Sequence, residues 1–233
     1  CALPICQTRV GGDLEGEVLL ERPVQVTPEA IAAACARFTG AIEQVPPMHS
    51  ALKKDGKALY EYARAGIEVE RAPRQVTLHA IDILGWDAER MELSLDVRCS
   101  KGTYIRTLAE DIGEALGCGA HLSGLRRTGS GGLSLDGAVT LEALAAEDEA
   151  ARDARLQRPD CLLADRPLVR LPAHEAARFL QGLRRRTALA DAPAVRVYGP
   201  EPTAFLGSAH ISAGELIADR LLSPPEVQAL LQP

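Results

Sequence analysis

Hydrophobic positions along the chain change period several times, and each change predicts an element. EGEVLLERPV (15–24) reads as a short strand region ending at Pro23, since proline cannot donate to a strand ladder. Thr27 is placed to cap a helix, with Pro28 at its first position and Glu29 behind it. Ile31, Ala34, Cys35 and Phe38 recur at helical spacing until Gly40 stops the run. KALYEYARAG (57–66) predicts a second, short helix ending at Gly66. QVTLHAIDILGW (75–86) predicts a strand in which Val76 and Leu78 alternate with polar neighbours. RMELSLDVRCS (90–100) alternates more cleanly, with Met91, Leu93, Leu95, Val97 and Cys99 on one face and Glu92, Ser94, Asp96 and Arg98 on the other. After Thr103 the period returns to helical, with Ile105, Leu108, Ile112 and Leu116 as the buried stripe and Gly117 as the stop. Thr140 is placed to cap LEALAAEDEA.

Residues 146–160 are charged and nearly free of large apolar side chains, the pattern of a solvated helix, a linker, or each in turn. Beyond them LVRLPAHEAARFLQGLRRR predicts a strand and a short helix, and PAVRVYG with TAFLGSAHIS predicts paired strands about a turn at Gly199–Pro200. Strands in adjacent runs with helices between them indicate an α+β class. A small C-terminal domain is expected from about Asp165, too short for a large core of its own. The opening CALPICQTRVGG carries no helix or strand period.

Composition narrows the function. Of 233 residues 46% are apolar but only 3% aromatic, so the core must be aliphatic. A net charge of −6 excludes a globally cationic nucleic-acid binder while leaving local basic faces open. The six cysteines have no paired metal spacing and read as reduced thiols, the cytosolic pattern. The five histidines show no ligand spacing, no phosphate-loop, dinucleotide or metalloprotease motif occurs, and no apolar run is long enough to span a bilayer. Neither a metal nor a membrane is expected.

Two stretches remain as candidate chemistry. Residues 45–74 hold Lys53, Lys54, Lys57, Arg64, Arg71 and Arg74 among Tyr60 and Tyr62, fenced by Pro46–Pro47 and Pro73. Such a mixture fits phosphate contacts with base stacking; a surface hairpin with solvated charges is the other reading. The second stretch places Arg98, Lys101, Tyr104 and Arg106 within ten residues at a helix start. A cation there opposes the helix dipole unless an anion faces it. Pairing Arg106 with Glu110, four residues on, contributes only about 0.2–0.5 kcal/mol. A partner outside the helix, a carboxylate or a phosphate, is therefore expected.

VPPMHSALKKDGKALYEYARAGIEVER, CSKGTYIRTLAEDIGEALGCGAHLSGLRRT and VTLEAL, preceded by TRVGGDLEGEVL, resemble the TruB family of bacterial tRNA pseudouridine synthases, in order from about Gln7 through Leu144. The resemblance implies a pseudouridine-synthase-type mixed, largely antiparallel sheet with flanking helices, incomplete at its N-terminal part, and a small β-rich PUA-like C-terminal domain. Residues 7–146 would be a partial catalytic domain with a thumb-like insertion over 45–74, 147–164 a linker or solvated helix, and 165–233 the PUA-like domain. The implied reaction turns a uridine in the T arm of tRNA, position 55, into pseudouridine in the cytoplasm, by a monomer when full length, without metal or organic cofactor.

By the same resemblance, Arg106 pairs with a catalytic aspartate, Tyr104 lies against the target base and Leu125 lines the pocket. Lys53, Lys54, Lys57, Tyr60, Arg64, Lys101 and Arg126 would contact the T-stem–loop. One departure is large. The family's aspartate motif, G-x-L-D-x-x-A-[ST]-G, and its following K-x-Y segment do not occur in this chain. Asp13, in GGDLEGE, belongs to a different stretch and is not assigned a catalytic part. Residues 1–6 are read as non-native, adapter-derived sequence on a truncated reading frame, and the chain alone is expected to be inactive. The alternative is a non-catalytic tRNA-binding or tRNA-folding protein.

Overall fold

A computed structural model describes residues 1–201 and 204–231, divided into two compact units, Cys1–Arg126 and Arg127–Pro233.

In the first unit, β1 (Ala2–Pro4), β4 (Gly40–Gln44), β7 (Arg74–Asp87) and β8 (Glu92–Cys99) form a sheet in the order β1-β8-β7-β4, every pair antiparallel. A separate hairpin joins β2 (Gln7–Arg9) to β3 (Val18–Glu21), and a smaller one joins β5 (Lys53–Lys54) to β6 (Lys57–Ala58). The helices are α1 (Pro28–Phe38), α2 (Leu59–Arg64) and α3 (Ile105–Ala115). The α1 cap is as expected, the Thr27 side chain accepting from the Ala30 amide. Ile31, Ala34 and Cys35 of α1, Val76, Leu78, Leu93 and Leu95 of the sheet, and Leu108, Ala109 and Ile112 of α3 share one core. Burying each Leu or Ile side chain contributes about 1.5–3 kcal/mol. The alternation in RMELSLDVRCS thus sets the register correctly, with Leu93 and Leu95 inward. Gly113 in α3 is required by packing: a Cβ there would lie 2.2 Å from the Ala120 amide nitrogen, where the chain returns across the helix.

The opening residues depart from expectation. Read as lacking strand period, they form β1 along β8, with Ala2 opposite Ser94 and Leu3 opposite Leu93. Leu3 and Ile5 are 1% and 0% exposed. A three-residue strand is too short to display a period of two, and its partner lies some ninety residues away, so no local signal marks it.

The second unit holds a hairpin of β9 (Gly129–Ser130) and β10 (Leu133–Ser134), then the exposed helices α4 (Leu141–Ala146), capped by Thr140, and α5 (Glu149–Ala154). A sheet follows, built from β11 (Leu168–Arg170), β12 (Arg185–Arg186), β13 (Ala192–Tyr198), β14 (Phe205–Ser212) and β15 (Glu215–Leu221) in the order β11-β13-β14-β15-β12. Only β11 with β13 is parallel. Helices α6 (Ala173–Leu180) and α7 (Pro224–Leu231) complete the unit. The paired strands about Gly199–Pro200 are β13 and β14; Thr203, expected to begin the second, lies outside the described residues. Val169, Leu171, Phe179, Val195, Val197, Leu206, Ile211 and Leu216 share one core. Inward alternation on β13 and β14 supplies much of its apolar area, and α6 adds Phe179, which is 1% exposed.

Candidate active site

The loop from β8 into α3 is built by its small polar residues. Ser100 Oγ accepts the Thr77 amide at 2.9 Å, and Thr103 Oγ1 donates to the Ser100 carbonyl at 2.9 Å. Gly102 takes a positive φ of 85° at the turn, a conformation glycine adopts without steric cost. This leaves Lys101 exposed at the tip. Tyr104, at the helix N-cap position, is fixed through its backbone: its amide donates to Gln44 Oε1 at 2.8 Å, and Gln44 Nε2 donates back to its carbonyl at 3.1 Å. Gln44, at the end of β4, is 3% exposed. Nothing local in the sequence marks it, because a glutamine closing a strand carries no pattern of such a role.

Arg106 does meet a carboxylate from outside its helix. Its Nη1 lies 3.0 Å from Asp13 Oδ2 and donates to the Gly11 carbonyl at 3.2 Å, while Nη2 donates to the His49 carbonyl at 2.7 Å. The acid lies in GGDLEGE, the stretch to which no catalytic part is assigned from sequence. Asp13 follows a 3-10 turn, Val10–Gly12, in which Gly11 and Gly12 take φ of 77° and 73°. That turn is held against residue 122: the Leu122 amide donates to the Gly12 carbonyl and the Leu14 amide to the Leu122 carbonyl. The glycine pair in TRVGGD is the signal that could have found it, because two left-handed residues redirect the chain just before the acid. In this chain, then, Arg106 faces Asp13, 93 positions away.

Glu110 does not pair with Arg106; it lies against Gly12, where an added Cβ would be 2.7 Å from its Oε1. Burial, aided by neighbouring Asp111, pushes its carboxyl up to about 7, against the opposing pull of Arg106 and Arg71. His121, 2% exposed, places Nδ1 3.0 Å from the Gln7 carbonyl and leaves Nε2 without a partner. Burial lowers its pKa.

The basic excursion emerges between β4 and β7, whose pairing of Gln44 with Arg74 closes its base, close to the expected 45–74 limits. Arg71 Nη1 donates to the Pro46 carbonyl at 3.1 Å across that base. Asp55 and Gly56, both with positive φ, make the tight β5–β6 turn. Lys57 lies over the Tyr62 ring at 4.9 Å and Arg64 over the exposed Tyr60 ring at 5.2 Å. Lys53, Lys57 and Arg64 are exposed; Lys54 instead donates to the Glu70 carbonyl at 2.7 Å and braces the excursion.

Leu125 is 59% exposed and Arg126 is exposed. The structure therefore gathers Tyr104, Arg106, Asp13, His49 and the excursion's base, while it does not enclose Leu125. A cavity of about 340 Å³ lies elsewhere, between α1 and the C-terminal end of α3, lined by Val26, Ala30, Ala34 and Leu116. Among the described residues no group of three His, Cys, Asp or Glu could hold a metal ion, and no helix is long and apolar enough to cross a membrane.

Three family profiles match in succession: "TruB family pseudouridylate synthase (N terminal domain)" over residues 4–105, "tRNA pseudouridylate synthase B C-terminal domain" over 106–164, and "Pseudouridine synthase II TruB, C-terminal" over 167–222. A protein of Ralstonia pickettii named tRNA pseudouridine synthase B is 66% identical over 174 residues, covering 74% of this chain and 55% of that protein. One of the same name from Verminephrobacter eiseniae is 53% identical over 235 residues, covering 99% of this chain and 71% of that protein. The chain thus spans about half to seven-tenths of these relatives. Among solved structures, a Cbf5–Nop10–Gar1 complex contains a chain with a TM-score of 0.67 at 20% identity, covering 97% of this chain and 67% of its own. An H/ACA ribonucleoprotein bound to a substrate RNA gives 0.63 at 18% identity, covering 97% and 66%. At such identity the likeness concerns the fold.

Proposed function

This chain belongs to the TruB family of pseudouridylate synthases, and from that membership we propose that it derives from an enzyme isomerising a uridine in the T arm of tRNA, position 55, to pseudouridine. The observation that carries the reading is Arg106, held by Asp13 and by the His49 carbonyl where the basic excursion begins. A guanidinium fixed there can orient a carboxylate beside a base that has left its stack. The unstacking costs a few kcal/mol, and contacts from Lys53, Lys57, Tyr60 and Arg64, with Lys101 and Arg126, are suited to offset it. Tyr104 would lie against the displaced base, and Leu125 would line the pocket once RNA covers it. Glycosidic cleavage and reattachment through carbon need no metal in this scheme.

Because the family's aspartate motif does not occur in these 233 residues, the chain by itself would bind a T-arm hairpin without converting it. The test is to incubate the purified chain with a T-arm hairpin RNA and measure pseudouridine by mass spectrometry alongside binding by fluorescence anisotropy. Binding without product is the expected outcome. Product formation, abolished by Asp13→Asn, would overturn the inactivity and make Asp13 the reacting acid. Absence of binding would remove both the enzyme reading and the tRNA-folding alternative.

A further inference from the structure

We propose that Glu110 is a positioning residue, coupling the clasp at the base of the excursion to the Arg106–Asp13 pair. The inference rests on the proposed site and deepens it. On one side, the Glu110 carboxyl presses on the turn that delivers Asp13. An ideal Cβ on Gly12 would lie 2.7 Å from Oε1 and 3.0 Å from Cδ of Glu110, and 3.5 Å from Cβ of Arg106, so a side chain there would have to displace the Glu110 carboxyl. On the other side stands Arg71, whose Nη1 closes the base on the Pro46 carbonyl and whose Nε is buried without a partner. Arg71 and Arg106 both favour charge on Glu110, whereas burial, Asp111 and Asp13 oppose it. Other titratable groups at the turn are His49, whose ring would lie 3.3 Å from a Cβ on Gly11, and His121, which interacts electrostatically with Asp13.

One carboxyl therefore answers to two arginines that hold different elements. When Glu110 is neutral, Arg106 keeps Asp13 and the Gly11 and His49 carbonyls, and Arg71 keeps the Pro46 carbonyl and Glu68, whose Oε1 lies 3.5 Å from its Nη2. When Glu110 is charged, both guanidinia are drawn to it and Asp13 is repelled. Its protonation near neutrality, where burial has placed it, would then be felt together at Gly12, Arg71 and Arg106. Glu110 need not touch the RNA to act; it acts through the arginines.

The test is a pH titration of the labelled chain by NMR, following the Gly12 and Asp13 amides and the Arg71 and Arg106 side-chain Nε resonances. All four are expected to share one midpoint near neutrality, retained in His49→Gln and lost in Glu110→Gln. A midpoint surviving in Glu110→Gln, or no shared midpoint in the parent chain, would sink the proposal. Should Glu110→Gln fail to fold, Arg71→Gln serves: removing a cation that favours charge must raise the midpoint, and an unchanged midpoint rejects the coupling. A parallel arm measures affinity for the T-arm hairpin across the same range. A several-fold change in the parent chain, flattened in Glu110→Gln, is expected. A shared midpoint without any hairpin binding would defeat the proposed function and leave the positioning role standing, whereas binding without a shared midpoint would do the reverse.

Discussion

At the scale of single residues, the chain's chemistry lies in polar side chains that a folded context has made scarce or costly. Gln44 satisfies both backbone groups of Tyr104 from a buried position. Replacing it with alanine leaves the Tyr104 amide unpaired, at about 1–3 kcal/mol, while the Tyr104 carbonyl keeps the Leu108 amide at 3.1 Å. Gln44→Ala should lower the urea midpoint at unchanged m-value. Glu110 and His121 make opposite pH predictions. The Glu110 pKa is raised from 4.5 to about 7 on folding, so its contribution is full below about 4.5 and lost as pH climbs through 7. Glu110→Gln, which mimics the neutral acid, should therefore gain on the order of 2 kcal/mol over the parent at pH 8, with the gap closing near pH 5. The His121 pKa is lowered, so its contribution is full above the unfolded value and lost as pH falls below it. Denaturant titrations at several pH values check both signs; equal stability of Glu110→Gln and parent at pH 8 would contradict the buried-carboxyl account.

At the scale of elements, the excursion and the two hairpins of the first unit carry the consequences. Lys53 and Arg64 face solvent, so removing either should weaken hairpin RNA binding and reduce the slope of log affinity against log salt by about 1. Lys54 is committed to the Glu70 carbonyl; Lys54→Ala should loosen the excursion, seen as faster amide exchange over residues 67–73, more than it changes the salt slope. The β2–β3 hairpin leaves Val18, Leu19 and Leu20 exposed on β3, Leu19 at 65%. An uncovered apolar edge strand invites pairing with another chain, so the chain should self-associate, and Leu19→Lys should shift it toward monomer in light scattering. β1 acts in the opposite sense: Leu3→Ala should cost roughly 2–5 kcal/mol because its side chain fills the core under the sheet.

At the scale of the whole molecule, each unit has its own core. Expressed alone, residues 127–233 should give a dispersed amide spectrum and a cooperative melt; a collapsed spectrum would mean that its core is insufficient. The amino-acid order by itself determined what is local. Thr27 and Pro28 begin α1, alternation sets β8, and the glycine stop ends α3, because caps, periods and turns act over a few residues. It also determined the family, through motifs long enough to be specific, and it marked Arg106 as needing an anion from elsewhere. Tertiary structure alone decided which anion. Asp13 lies 93 positions from Arg106, and only the fold of the sheet, the Gly11–Gly12 turn and the backbone of Leu122 bring them together. The same holds for Gln44 beneath Tyr104, for β1 against β8 and for the burial that raises Glu110. These are long-range encounters and desolvation, which depend on the three-dimensional surroundings and leave no periodic trace along the chain.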